Sequence, residues 1–421
     1  MSTNRGNDGK IALVLAGGGL TGAVYEIGAL RAIDDLLRDR TVNDFDIYVG
    51  TSAGAFVGSM LANGISPDTM LQALDGSHPD FKPVGRRDLF NVSRREMIRR
   101  TVRFPGKLVE AWSHYLRHAD DMNLFDVLWS LLETLPAGFY DPLALGRYVA
   151  SVLSKRDFGD DFAKLKHDLY IIATDLDSGQ RVVFGRDERN DATISQAVAA
   201  STAVPMLYKP VRIGGDELVD GGLRGNASID VAIEKGATLV VCINPIVPYD
   251  NSDRQSIPLL GAEGGYISDK GMQAIASQIA RITGHAALHY HIKQMRRAHP
   301  EVDIIVIEPR SKDPEMVFYN IMRYSTRLIV ARHGFESVTL DLAEDYTRYK
   351  ETLARHGITL TRRLVIEELN EIRGSNYDPI VIRRILEKRS GKCSGHKRHT
   401  PMCELDRALS ELELTLETMN K

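Results

Sequence analysis

Two glycine-bearing turns, about thirty residues apart, constrain this chain more than anything else in it. In the first, the apolar run Ile11–Leu15 enters Gly17-Gly18-Gly19-Leu20-Thr21-Gly22. In the second, Phe45–Val49 enters Gly50-Thr51-Ser52-Ala53-Gly54. Each turn leads into a helix-compatible stretch. From about Gly22 to Arg38, the residues Val24, Ile27, Leu30, Ala32 and Leu36 recur near helical spacing, and a second helix is expected from Ala53. Strands that alternate with helices through tight turns predict an α/β layer fold with a mainly parallel sheet.

The pattern resumes downstream. "HDLYIIATDLDSGQRVVFG" reads as two strands, and "TISQAVAASTAVPMLY" as a helix ended by Pro205. "VRIGGDELVDGG" reads as a short strand, a Gly214-Gly215 turn and a strand into Asp220. "GATLVVCINP" and "VDIIVIEP" are further strands, each stopped by a proline. Between them, about Gln273 to Arg297 reads as one helix. Residues of about 80–145 show no strand pattern and are expected to be a helical insertion. From about Val317 the chain reads as helical, with a polar linker at Lys388–Pro401 before a last amphipathic helix. This predicts a main domain over 9–310 and a helical extension over 311–421.

Bulk properties exclude several classes. Hydrophobic residues at 43% and charged ones at 26% describe a folded chain. The net charge of -3 gives no case for nucleic acid. Three cysteines, Cys242, Cys393 and Cys403, are too few for a disulfide framework and fit a reducing compartment. The run Ile11–Ala16 ends in three glycines and reads as a strand, not a signal peptide. No run approaches the roughly 18 apolar residues of a membrane span. A cytoplasmic protein, or one held at a membrane surface, is expected. Residues 82–107 place nine cations against Asp88 and Glu96, a local charge of +7. This is either a solvated face or a contact for anionic lipid, with Phe104, Leu108, Trp112 and Trp129 nearby to enter the interface.

Three places offer chemistry. Gly17-x-Gly19-x-x-Gly22 matches a dinucleotide fingerprint, but the next strand ends without the acidic residue that would hold a ribose. Its outward N–H groups at a helix start also suit any anion, including the oxyanion of a tetrahedral intermediate. Gly50-x-Ser52-x-Gly54, between a buried strand and a helix, has the form of a nucleophile elbow. Asp220-Gly221-Gly222 closes a strand, and a serine needs such a base. The two meet if both strand ends lie on one edge of a parallel sheet.

Taken in order, these three motifs resemble the patatin-like phospholipase family over about residues 9–310, as does "AASTAVPMLYKPVRIGGDELVDGG". The resemblance implies a three-layer α/β/α fold and a lipid acyl hydrolase acting on phospholipid or another lipid ester, with a Ser–Asp dyad and no metal or organic cofactor. Ser52 would be the nucleophile and Asp220 the base. Gly17, Gly18 and Gly19 would form the oxyanion hole, supported by Gly22, Gly50, Gly54, Gly221 and Gly222. The chain departs from the family at Thr21, where a basic residue is frequent, and at Asn226-Ala227-Ser228, where Asn-x-Pro is frequent.

Competing readings rest on other residues. A Ser-His-Asp triad would draw on His285, His289, His291 or His299. Cys393, His396, His399 and Cys403 invite a zinc reading, but their spacing fits no ligand pattern. An acyltransferase using the same serine and a catalytically silent lipid-binding module are the functional alternatives. The sequence does not fix an oligomeric state.

Overall fold

The computed structural model describes residues 9–38, 40–92, 136–156, 159–254, 265–312, 316 and 324–388. The chain begins β1 (Lys10–Leu15), α1 (Gly19–Leu36), β2 (Ile47–Thr51), α2 (Ala53–Ala62), α3 (Pro67–Asp75) and α4 (Arg86–Leu89). It continues β3 (Gly138–Tyr140), α5 (Leu143–Leu153), β4 (Asp168–Asp175), β5 (Arg181–Phe184), α6 (Ile194–Ser201), β6 (Met206–Tyr208), β7 (Val211–Ile213) and β8 (Asp216–Asp220). Last come α7 (Ile229–Glu234), β9 (Ala237–Ile243), α8 (Met272–Ala298), β10 (Asp303–Ile307), α9 (Tyr324–Arg355), α10 (Arg363–Gly374) and α11 (Pro379–Glu387).

The main sheet has the order β10-β9-β1-β2-β4-β8-β7, with β5 also paired to β4. The strands from β10 to β4 are parallel, while β5, β7 and β8 are antiparallel additions. Along β1, Ile11, Leu13 and Leu15 enter one core, while Ala12 and Val14 enter another on the opposite face. Helices α1, α2, α6 and α9 cover the first face; α7 and α8 cover the second. Burial on both faces is why these strands read as unbroken apolar runs, and it makes the fold a three-layer α/β/α sandwich.

The helices after β10 join the same core as the strands. Helices α1 and α9 touch through backbone: a Cβ on Gly28 would stand 1.9 Å from the Ala331 oxygen, and one on Gly334 2.2 Å from that of Tyr25. Arg31, fully buried on α1, pairs with Asp35, lies 3.7 Å from Glu368 on α10, and donates to the Lys388 carbonyl at 3.2 Å.

Two expectations need correcting. The segment of 80–145 was expected to lack strands, yet β3 lies within it and pairs in parallel with β6. Three residues are too few to show a period of two. Helix α1 also starts at Gly19, not Gly22, so the glycine turn itself opens the helix. Residues 93–135 of that insertion, with Arg94 to Lys107, Trp112 and Trp129, lie outside the described residues, as do Cys393, His396, His399 and Cys403. Among the described residues, no helix is long and apolar enough to cross a membrane.

Candidate active site

Ser52 is the single residue between β2 and α2, with φ 54° and ψ -115°. A side chain in that backbone region costs about 1–3 kcal/mol and persists only where its surroundings enforce it. The enforcing contacts are local and specific. The Ser52 N–H donates to Ser201 Oγ at 2.8 Å, and the Ser201 hydroxyl donates to the Ile172 carbonyl at 2.6 Å. Helix α2 starts hard against β1, since a Cβ on Gly54 would lie 2.2 Å from the Leu15 oxygen. A Cβ on Gly50 would in turn lie 2.4 Å from the Gly54 oxygen.

Asp220 arrives by a route other than the expected one. Strand β8 runs antiparallel to β4, so its end does not share the carboxyl edge by direction. Register brings it there instead. Thr51 on β2 pairs with Ile172, and the next residue of β4, Ala173, pairs with Asp220. Asp220 is thereby level with Ser52. Its carboxylate accepts the Gly222 N–H at 2.8 Å, and only 7% of the residue is exposed. Burial pushes its pKa up to about 6, against the opposing pull of hydrogen bonds from Ser52 and the Gly222 N–H. Gly221 lets this turn lie on β4, where a Cβ would meet the Ile172 oxygen at 2.4 Å.

The glycine turn divides its N–H groups. Gly17 donates to the Asn226 carbonyl at 3.0 Å, so its N–H is not available to an oxyanion, contrary to expectation. Among the described residues, no acceptor is seen for the N–H groups of Gly18 and Gly19 at the start of α1. Gly19 has φ 59° and faces open space. Gly22 fits under Pro245, 2.9 Å from where its Cβ would be, and donates to the Gly18 carbonyl. Gly19 and Ser52 both line an apolar cavity of about 190 Å3, with Val24, Ile27, Phe56 and Leu145 among its walls.

The histidines are engaged elsewhere. His285 and His289 face Glu308, His291 faces Asp230, and His299 faces Glu301. Among the described residues none is seen against Ser52 or Asp220.

Ser201 and Asn226 are the residues that sequence reasoning missed. Both stand in stretches already singled out, but nothing marks one hydroxyl in "AVAAST" as a backbone clamp. Ser201→Ala is expected to cost about 2 kcal/mol, because it strands the buried Ser52 N–H, and to lower kcat more than it raises KM. Denaturant unfolding alongside ester kinetics checks this; a KM effect alone would remove the clamp role.

Fold and site together define a three-layer α/β protein of the nucleophile-elbow kind, with an acid beside the elbow and an apolar cavity before it. The patatin-like phospholipase family model matches residues 13–233, just over half of the chain and a span containing all three motifs. The chain belongs to that family. It is 20% identical over 222 residues to "Probable lipid hydrolase 463L" of Invertebrate iridescent virus 6, covering 53% of this chain and 63% of that protein. It is 24% identical over 212 residues to "Uncharacterized protein R571" of Acanthamoeba polyphaga mimivirus, covering 50% and 57%. The matches thus span less than two thirds of either relative. Among solved structures, VipD from Legionella pneumophila aligns at TM-score 0.35 and 16% identity, covering 80% of this chain and 67% of that one. The type III effector ExoU aligns at 0.28 and 15%, covering 87% and 64%.

Proposed function

We propose that this protein hydrolyses carboxylic esters of lipids, in the manner of a phospholipase A or lysophospholipase, through an acyl-serine intermediate. The observation behind this reading is the strand register that sets a buried, proton-hungry Asp220 level with Ser52. Ser52 Oγ attacks the ester carbonyl and its proton passes to Asp220. The N–H groups of Gly18 and Gly19 receive the oxyanion, at a helix start that favours negative charge. Collapse of the tetrahedral species expels the alcohol, which takes the proton from Asp220. Asp220 then accepts a proton from water, and the resulting hydroxide attacks the acyl-serine. The acid leaves and Ser52 recovers its proton.

The cavity walls suit an acyl chain, and its rim suits a lipid surface. Phe90 and Leu207 line the cavity and are exposed, Met206 beside them is 81% exposed, and Arg86 and Arg87 on α4 face solvent. Mass spectrometry of the protein quenched during turnover tests the intermediate: an acyl adduct on Ser52 supports the reading, and an adduct elsewhere sinks it. Met206→Glu tests the rim. Burial of such a side chain is worth about 1.5–3 kcal/mol, so hydrolysis of anionic vesicles should fall about tenfold or more while a short soluble ester is cleaved as before. Equal loss on both substrates would make Met206 part of the site instead of a lipid contact.

A further inference from the structure

A second chemical cluster lies on the other side of the sheet's carboxyl edge. His285 and His289 are one turn apart on α8 and point the same way, their ring centroids 4.2 Å apart. Glu308 follows the last residue of β10 and faces both. Its Oε2 is 2.9 Å from His289 Nε2 and 3.5 Å from His285 Nε2. One ligand atom from each residue lies within 4.8 Å of the other two.

We propose that His285, His289 and Glu308 bind a divalent transition metal of the zinc class, at a site separate from the serine. Bonds of about 2.0–2.1 Å around a tetrahedral metal separate the ligand atoms by about 3.4 Å, which small side-chain rotations reach from the present geometry. Both imidazoles converge on the one carboxylate with their rings 4.2 Å apart, so a metal can engage two nitrogens and an oxygen together. The donor set of two imidazoles and one carboxylate selects zinc, cobalt or nickel over magnesium and calcium, which take oxygen ligands.

Glu308 is also oriented as a ligand needs to be. Asn244, fully buried, donates its Nδ2 to Glu308 Oε1 at 2.7 Å and so fixes the carboxylate with both oxygens near His289, Oε1 at 3.1 Å and Oε2 at 2.9 Å. An open cavity of about 470 Å3, lined by Tyr249, Asp250 and Ser311 with the three ligands, leaves the fourth position to water. Asn244 Oδ1 accepts from Asn226 Nδ2 at 2.9 Å, and the Asn226 carbonyl accepts the Gly17 N–H. The metal therefore braces the glycine turn from behind through three hydrogen bonds.

The experiment is a cobalt(II) titration of chelator-treated, full-length protein, read by visible absorption, with zinc-dependent thermal unfolding as a second readout. Wild type should take up one equivalent with ligand-field bands and no thiolate charge-transfer band, and zinc should raise its Tm. Replacing Cys393 and Cys403 by Ser, and His396 and His399 by Gln, should leave this equivalent in place. His285→Gln with His289→Gln should abolish it, and Glu308→Gln should weaken it at least about hundredfold, beyond what losing an outer-shell partner costs. Should the double variant not fold, Glu308→Gln decides alone. Absence of stoichiometric uptake by wild type, or uptake that survives these substitutions, would overturn the site.

Discussion

Ser52→Ala is expected to lower ester turnover by about 10^4-fold or more while leaving lipid binding and the fold intact. The magnitude follows from what removal of an acyl-enzyme nucleophile costs, since only oxyanion stabilisation and substrate positioning then remain. Stability separates the chemical effect from a structural one. Alanine at φ 54° suffers the same backbone strain as serine and keeps the N–H bond to Ser201, but it removes the hydroxyl's hydrogen bond to buried Asp220, so Ser52→Ala should stay folded with a loss of about 1–3 kcal/mol. Ser52→Gly should be equally inactive but more stable than Ser52→Ala by about 1 kcal/mol, because glycine adopts positive φ freely. A glycine variant more stable than the alanine variant at one residue reports backbone strain held at that position. Reaction with a fluorophosphonate gives the matching covalent readout: one adduct on wild type, none on either variant. Turnover by Ser52→Ala within tenfold of wild type would remove the serine from the mechanism and leave the silent lipid-binding reading in its place.

What the sequence made legible follows the range over which each feature is determined. The turns at Gly17–Gly22 and Gly50–Gly54 are local: strand, glycine and helix are adjacent in the chain, so both elements and their sheet edge could be read directly. The direction of β8 could not. Five residues of "DELVD" read the same whether they run with β4 or against it, and only the Ala173–Asp220 register decides where the carboxylate stops. The loss of the Gly17 N–H to Asn226 is a contact between residues more than two hundred positions apart, invisible to any local pattern. Helicity in the described part of the C-terminal region, α9 to α11, was legible for the same local reason, whereas the docking of α9 on α1 rests on Gly28 and Gly334, which look in sequence like ordinary helix-weakening glycines. Local chemistry thus singles out Ser52 and Asp220 as candidates, while their relative placement, and the clamp formed by Ser201, are properties of the assembled sheet.

Asp220→Asn is expected to cut activity to a small residual level and to stabilise the fold, with a pH dependence that ties the two effects together. Loss of a general base costs about 10^2–10^4-fold, because asparagine cannot accept the serine proton. The stability effect follows from burial. Asp220 has a pKa of about 6 in the folded chain, against about 3.9 when exposed. Below about pH 4 the carboxyl is protonated in both states and the substitution changes little. As pH rises toward 6 the unfolded chain releases the proton first, so wild-type stability falls. Above pH 6 the full difference applies, about 3 kcal/mol. Asparagine is neutral throughout and can still accept the Gly222 N–H, so the variant should melt at a higher temperature than wild type at pH 8 and at nearly the same temperature at pH 4. In parallel, wild-type kcat/KM should rise with pH through about 6 and level off as Asp220 ionises, and the residual activity of the variant should lack that step. The same desolvation explains both halves: a carboxylate exposed to water would be stable and a weak base, whereas burial raises its proton affinity toward the working pH at the cost of folding free energy. If the melting difference were equal at pH 4 and pH 8, desolvation would not be the source of the shift, and the activity step near pH 6 would belong to another group.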